Sequence, residues 1–138
     1  MTEPLAWSGV HHLTLNVQDV TASERWYSDV LGFDRLTEYE TEDFRRVLLR
    51  HPGSGMVLGL NRHTSPEAAE PFSERRAGLD HLALRVADRA ALEAWVARFD
   101  AMGVQHSGIQ PAVTPGSALV VFRDPDGIQL EAFAPPAG

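Results

Sequence analysis

The sequence predicts an α+β fold of two βαβββ modules, whose strands form a curved mixed sheet around a cavity. One observation is an eight-residue motif at residues 12–19 that recurs at 81–88, with five identical positions at an offset of 69 residues. A second is that each copy changes from strand-like alternation to helical spacing. The third is that the offset equals half of the 138-residue length, which indicates duplication of one module.

The first module begins with a strand over residues 10–17, because aliphatic and polar side chains alternate there. The aliphatic side chains would pack under a helix, and the polar ones would face the cavity. The polar set consists of His12, Thr14 and Asn16. Residues 19–31 then follow helical spacing up to Gly32, a common C-terminal stop. The predicted core stripe of this helix consists of Trp26, Val30 and Leu31.

The remaining elements repeat the same order. Three further strands of the first module are predicted at about 33–40, 43–50 and 56–62. The second module begins with a strand at 80–86 and a helix at 89–102. Its other strands are predicted near 104–110, 117–123 and 128–134. The chain is thus predicted to be one domain, with modules at about 9–62 and 79–134 joined by an aperiodic linker at 63–78.

Composition narrows the classes of protein that this chain can be. The net charge is −7 and no basic stripe is present, so the sequence does not predict a nucleic-acid binder. No apolar run approaches the roughly 20 residues that span a bilayer, and the N-terminus lacks a signal-peptide pattern. Cysteine is absent, which excludes disulfides and thiolate ligands. We expect a cytoplasmic protein whose partner is a small molecule rather than nucleic acid or a membrane.

Three nitrogen and oxygen donors form a candidate metal site. His12 and His81 occupy the same place in the repeated strand, so both would face the cavity. The Asp-Pro-Asp-Gly turn at 124–127 precedes the last strand, whose alternation puts Glu131 on the same face. Two imidazoles and one carboxylate can occupy one face of an octahedral ion, as is typical of Fe(II) sites. The predicted cofactor is a divalent ion, Fe(II) or Mn(II), with Zn, Ni and Co as other ions that such ligands bind.

Four other side chains would line the cavity and contact a substrate: Asn16, Asn61, Arg85 and Phe133. Arg85 could bind a carboxylate or enolate through paired hydrogen bonds. It could equally pair with Glu131 when no metal is bound. Phe133 could wall the pocket or belong to the core, as aromatic side chains on strands often do. No residue stands out as a general base, so no catalytic side chain is assigned.

These motifs resemble those of the vicinal-oxygen-chelate superfamily, which includes glyoxalase I, bleomycin-binding proteins, extradiol dioxygenases and fosfomycin-resistance thiol transferases. The likeness rests on the repeated His-Leu-x-Leu-x-Val strands, Leu-Gly-Phe at 31–33, and Asp-Pro-Asp-Gly followed four residues later by Glu131. It covers about residues 9–134. The resemblance implies the glyoxalase/bleomycin resistance/dihydroxybiphenyl dioxygenase fold, a metal held by His12, His81 and Glu131, and a homodimer.

The resemblance also implies a site with three protein ligands rather than four. Glyoxalase I and methylmalonyl-CoA epimerase place a fourth ligand on the last strand of the first module, where this sequence has Gly59. Two features depart from named relatives. Val121 replaces a tyrosine that is common in extradiol dioxygenases, and residues 111–117 lack the serine-rich character of the phosphonate-binding loop in fosfomycin enzymes.

The predicted function is that of a metal-dependent, dioxygenase-like enzyme whose small organic substrate chelates the metal through adjacent oxygens. Two alternatives stay open at this point. One is metal-free sequestration of a drug-like natural product, although the bleomycin-binding relatives generally lack the ligand trio. The other is metal-dependent addition of a thiol or water to an electrophilic antibiotic. The long linker permits the site to form within one chain or between the two chains of a homodimer.

Overall fold

A computed structural model describes residues 2–137, and the chain divides between Ala68 and Ala69 into two compact units. Each unit carries one four-stranded mixed sheet and one long helix. The two units repeat the same order of elements, which confirms the predicted pair of βαβββ modules.

The first unit follows the predicted order closely. Its elements are β1 (Leu13–Asn16), α1 (Val20–Leu31), β2 (Asp34–Glu40), β3 (Phe44–Arg50) and β4 (Val57–His63). The strands lie in the order β1-β4-β3-β2. β1 runs parallel to β4, whereas β3 is antiparallel to both of its neighbours. This topology returns the end of the module to the side of its first strand.

The second unit has the same topology. Its elements are β5 (Leu82–Arg85), α2 (Arg89–Met102), β6 (Gln110–Pro111), β7 (Ala118–Arg123) and β8 (Gln129–Ala134). The strands lie in the order β5-β8-β7-β6, with β5 parallel to β8 and the other pairs antiparallel. In both units, the first and last strands of the module are therefore direct neighbours.

Both helices end at a glycine, as the sequence predicts, and the structure adds an aspartate cap at each beginning. Asp19 and Asp88 precede the two helices, and their side chains accept hydrogen bonds from Ala22 N at 3.0 Å and Ala91 N at 2.9 Å. Such caps satisfy backbone donors that the first turn leaves without a partner. Gly32 and Gly103 end the helices in the left-handed region, which a side chain would disfavour.

The core of each unit lies between its helix and one face of its sheet. In the first unit, α1 buries Val20, Ser23, Tyr27 and Val30. The predicted stripe was right for Val30, whereas Trp26 and Leu31 are only half-buried. Tyr27 takes the central place, at 1% exposure, and packs edge-on against Trp26 with ring centroids 4.9 Å apart.

Two predicted segments differ from the observed structure. The strand expected at 104–110 is reduced to the two residues of β6 and an isolated bridge between His106 and Phe122. Gly108 adopts a positive φ there, and the Ser107 hydroxyl accepts the hydrogen bond of Val121 N, so the ladder is interrupted. The aperiodic segment at 63–78 contains a 3₁₀ helix, Pro66–Ala69. Among residues 2–137, no helix is long and apolar enough to cross a membrane.

Candidate metal centre and substrate-contacting face

Glu131 owes its position to the turn between β7 and β8. The buried Asp124 carboxylate accepts hydrogen bonds from Asp126 N and Ile128 N, each at 2.9 Å, and Gly127 takes a positive φ. This turn fixes the register of β8, in which Leu130 and Ala132 are buried against the helix side. The alternate side chains face the other way, and Glu131 lies among them with 13% of its side chain exposed.

His81 lies one residue before β5 and contacts two carboxylates. Its Nδ1 lies 2.6 Å from Asp80 Oδ1, and its Nε2 lies 3.4 Å from Glu131 Oε2. Because a carboxylate can only accept, the hydrogen bond to Asp80 places the proton of a neutral imidazole on Nδ1. The lone pair of Nε2 is then free for a metal ion. Asp80 thus fixes the imidazole form that a metal requires.

A chain of hydrogen bonds extends from His81 towards the linker. Gln129 donates to Asp80 Oδ1 at 3.2 Å, and Arg123 donates to Gln129 Oε1 at 3.2 Å. Arg123 also forms an ion pair with Glu74 at 2.9 Å. The Arg123 hydrogen bond lowers the pKa of Glu74 to about 2, and Glu74 raises the pKa of Arg123 in turn. Sequence reasoning missed this chain, although Asp80 adjoins His81 and Gln129 shares a strand face with Glu131.

His12 belongs to the first unit and is exposed. It precedes β1 by one residue, as His81 precedes β5. Its Nδ1 lies 2.8 Å from Nδ1 of His11, so one ring donates and the other accepts. The two rings meet edge to face, with centroids 5.1 Å apart. The neighbour that fixes the imidazole of His12 is therefore a second histidine, whereas His81 uses an aspartate.

The donor set of the second unit fits a divalent ion that prefers nitrogen and oxygen ligands. Of the three predicted ligands, His81 and Glu131 come together there, while His12 lies in the other unit. Within residues 2–137, no group of three or more histidine, aspartate or glutamate side chains is arranged to hold a metal ion. The structure supports the metal hypothesis through the contact between His81 and Glu131 and through the hydrogen bond of His81 to Asp80.

The position equivalent to Glu131 in the first unit is closed. Gly59 lies opposite Thr14 in the β1–β4 pair, just as Glu131 lies opposite Ala83 in the β5–β8 pair. A Cβ atom at Gly59 would lie 2.6 Å from Oγ1 of Thr14, well inside contact distance. The small alanine leaves space over β5 for the Glu131 side chain, whereas threonine fills the same space over β1. Gly59 on β4 supplies no ligand, and Thr14 on β1 leaves no room for a larger side chain at that position.

The predicted substrate-contacting residues occupy the sheet faces away from the helices, here called the open faces. Asn16 and Asn61 are paired across β1 and β4, with Asn61 Nδ2 donating to Asn16 Oδ1 at 3.3 Å. Arg85 and Phe133 are paired across β5 and β8, exposed and half-buried respectively. Glu131 Oε2 lies 3.4 Å from His81 Nε2, and none of residues 2–137 forms an ion pair with Arg85.

Sequence reasoning missed Arg46, which lies on the same open face as Asn16 and Asn61. Arg46 Nε donates to Asn61 Oδ1 at 3.0 Å, and its Nη1 donates to Tyr39 Oη at 2.8 Å. Its guanidinium also stacks on Phe44, 4.6 Å from the ring centroid. An arginine inside an alternating strand gave no signal in sequence, because the polar positions of strands are usually only solvated.

A separate open pocket lies at the β2–β3 edge, lined by Glu38, Tyr39, Glu40 and Arg45. It contains none of the predicted metal ligands. Glu38 and Arg45 pair with each other at 3.3 Å, and Arg35 bridges Glu38 and Glu24. The Arg35 hydrogen bond lowers the pKa of Glu24. These ion pairs explain why charged side chains line the pocket, which is a structural feature of this sheet edge.

Comparison with known proteins gives a family for this architecture. The family model of the glyoxalase/bleomycin resistance protein/dioxygenase superfamily matches residues 9–132. The chain belongs to this superfamily. One similar solved structure is a glyoxylase/bleomycin resistance protein/dioxygenase domain from Frankia sp. EAN1pec, with a TM-score of 0.86 and 31% identity over 96% of each chain.

Two curated proteins are similar to this chain in sequence. It is 29% identical to the Escherichia coli protein YaeR over 126 residues, covering 90% of this chain and 94% of YaeR. It is also 31% identical over 80 residues to the metallothiol transferase FosB of Staphylococcus haemolyticus, covering 58% of this chain and 50% of FosB. The likeness to FosB thus spans about half of that protein.

Proposed function

We propose that this superfamily member is a metal-dependent enzyme whose small organic substrate chelates a divalent ion through adjacent oxygens. The observation that carries the proposal is the convergence of His81 and Glu131, with Asp80 holding the imidazole in its metal-binding form. A carboxylate that orients a histidine through its second nitrogen is a common companion of metal-binding histidines.

His12, His81 and Glu131 are the proposed ligands, and Fe(II) or Mn(II) is the proposed ion, with Zn, Ni or Co as other candidates. A bound ion would polarise the chelating oxygens of the substrate and lower the pKa of a hydroxyl among them. Asp80 would hold the proton of a neutral His81 on Nδ1 and so leave Nε2 for the ion, and Glu131 would supply negative charge. His12 would complete the set, either from the same chain or from the partner in the proposed homodimer.

The substrate would contact the open faces of the sheets. Asn16 offers an exposed amide in the first unit, where the buried Asn61 holds its oxygen, while Arg85 offers a cation in the second unit. Phe133 pairs with Arg85 across the strands and would supply an apolar wall. Such a set suits a small molecule with both oxygen-rich and apolar parts, in a protein that we propose to be cytoplasmic.

Two reaction classes are compatible with these ligands. One is dioxygenase-like oxidation of a substrate such as a catechol, in which molecular oxygen is the oxidant. The other is addition of a thiol or water to an electrophile, and the likeness to the metallothiol transferase FosB favours this candidate. A third candidate function is metal-free sequestration of a drug-like compound. That function would not require His81 and Glu131 to be paired.

The test compares protein loaded with Fe(II) or Mn(II) against the same protein treated with a chelator. Oxygen uptake with a panel of catechols measures the first reaction, and thiol consumption with a panel of epoxides measures the second. We expect turnover in one panel, abolished by the chelator and reduced at least about 100-fold in Glu131→Ala. The matched control is Glu93→Ala, which removes an exposed glutamate from α2. Turnover that survives both the chelator and Glu131→Ala would overturn the proposal.

A further inference from the structure

Arg46 differs from Arg35 and Arg45, two other strand arginines of the first unit, in the partners it keeps. Arg35 and Arg45 both form ion pairs with glutamates. Arg46 instead contacts an asparagine oxygen, a tyrosine hydroxyl and two aromatic rings, and none of its partners within residues 2–137 carries a negative charge. In a chain of net charge −7, the half-buried guanidinium of Arg46 thus has only neutral groups among its contacts within residues 2–137.

The strand register explains how the carboxylates are kept away. Glu38 lies opposite Val47, whose side chain is fully buried on the α1 side of the sheet. Arg46 precedes Val47 on β3 and lies opposite Tyr39 on β2 and Asn61 on β4. Because side chains alternate along a strand, Arg46 faces the open side. The side chain of Glu38 therefore lies on the α1 side of the sheet, where it pairs with Arg35 and Arg45. On the open face, the side chains that contact Arg46 are the neutral Tyr39, Phe44 and Asn61.

The surroundings of Arg46 also fix its guanidinium before any ligand binds. Asn61 is buried, at 1% exposure, and its carbonyl oxygen accepts from Arg46 Nε while its amide donates to Asn16. Phe44 supports the flat side of the group. Its Nη2 atom takes part in none of these hydrogen bonds. A planar group held in this way presents donors with little loss of side-chain entropy on binding.

We propose that Arg46, positioned by Asn61 and Phe44, binds an oxyanion group of the ligand, a carboxylate or a phosphonate. Both groups offer the paired oxygens that a guanidinium recognises. The inference rests on the proposed function only in assigning this anion to the same small molecule that the metal would chelate. It predicts that the substrate is anionic at neutral pH and that the first unit binds its negatively charged group.

The experiment uses metal-free protein, so that failure of the metal site cannot imitate failure of this one. Acetate, methylphosphonate and neutral acetamide are titrated while NMR follows the Arg46 Nε–H and the Asn61 side-chain amide. We expect saturable shifts with one or both anions and none with acetamide. Binding of acetate alone identifies a carboxylate, and binding of methylphosphonate alone identifies a phosphonate.

Variants separate binding from a merely structural role. Arg46→Lys keeps the charge but loses the planar donor pair, so we expect the dissociation constant to rise at least about tenfold. Arg45→Lys makes the same change at the neighbouring residue, whose side chain pairs with Glu38, and should leave binding unchanged. Asn61→Asp places a carboxylate against Arg46 and should abolish anion binding even if Arg46→Lys does not fold. Absence of saturable shifts with either anion, or equal binding by Asn61→Asp, would overturn the proposal.

Discussion

The Asp80 carboxylate orients the imidazole of its neighbour, His81. It accepts from the imidazole of His81 at 2.6 Å and is itself held by the amide of Gln129 at 3.2 Å. The same carboxylate therefore sets both the proton position and the direction of the ring. His12 has a histidine in the corresponding role, so the two proposed imidazole ligands are supported differently.

The first prediction concerns this support. Asp80→Asn should weaken Mn(II) binding by about 10- to 100-fold, because the ring loses its charged acceptor and its fixed form. A competition titration against a coloured chelator measures the dissociation constant. The control is Asp100→Asn, which removes an aspartate from a similar contact with His106, at 2.7 Å, in the same unit. Equal Mn(II) affinity in the Asp80 variant and the wild-type protein would show that Asp80 has no such role.

A second residue-scale prediction follows from the contact between Gly59 and Thr14. Gly59→Ala should lower the free energy of unfolding by about 1–3 kcal/mol, because the added methyl group overlaps the threonine side chain. Thr14→Ala, which reproduces the alanine found at position 83, should recover much of that loss in the double variant. Urea denaturation of the four proteins measures the coupling. Additive effects of the two substitutions would contradict the steric explanation.

At this scale, duplication marked some candidate site residues in the sequence and gave no signal for others. His12 and His81 could be named because each marks the same place in a repeat, and Glu131 because it follows a strong turn signal. Arg46 lies in the run Phe-Arg-Arg-Val-Leu-Leu-Arg, where three arginines look alike in sequence. Only the pairing of β2, β3 and β4 separates the arginine without a carboxylate partner from the one that has one.

At the scale of elements, an ion pair joins the linker segment to the second sheet. Glu74 contacts Arg123 on β7, and Arg123 also donates to the backbone oxygen of Gly127 in the turn before β8. The attachment therefore joins the linker, the last hairpin and, through Gln129, the support of His81. Neither its presence nor its partner was visible in a linker that lacks periodicity.

The pH dependence of this attachment gives the third prediction. The folded pKa of Glu74 is lowered to about 2 from the ordinary value of 4.5. A lowered carboxyl pKa contributes stability that is present above pH 4.5 and is lost as the pH falls towards 2. An NMR titration of the Glu74 carboxyl should therefore show a midpoint near 2, moving up towards 4.5 in Arg123→Met. An ordinary midpoint in the wild-type protein would show that the ion pair is not formed in solution.

The elements themselves were largely predictable, and the exceptions have local causes. Alternation and capping located both helices within a residue or two, because Asp19, Asp88, Gly32 and Gly103 act through nearby backbone. The strand near 104–110 was overestimated, since the Ser107 hydroxyl and the positive φ of Gly108 replace regular pairing there. Tyr27 rather than Trp26 fills the core, a choice that depends on the packing of α1 against its sheet.

At the scale of the whole molecule, duplication produced two units of one topology that have diverged on their open faces. The first unit presents Arg46 and two asparagines, with glycine at the ligand position. The second unit presents Glu131 beside His81. The repeat in sequence predicts the shared topology, but divergence of function depends on which residue pairs meet across β1–β4 and β5–β8. The proposed anion-binding residue Arg46 therefore lies in the first unit, and two of the three proposed metal ligands lie in the second.

The most direct test is the metal content of protein purified without oxygen, measured by plasma mass spectrometry. The account predicts close to one divalent ion per chain in the wild-type protein and in Glu93→Ala, with a large loss in each of His12→Ala, His81→Ala and Glu131→Ala. Because Glu131 and His81 are close enough to act together, their double variant should lose no more metal than either single variant. Metal content that is unchanged in Glu131→Ala, or absent from wild-type protein supplied with Fe(II) and Mn(II), would contradict the account.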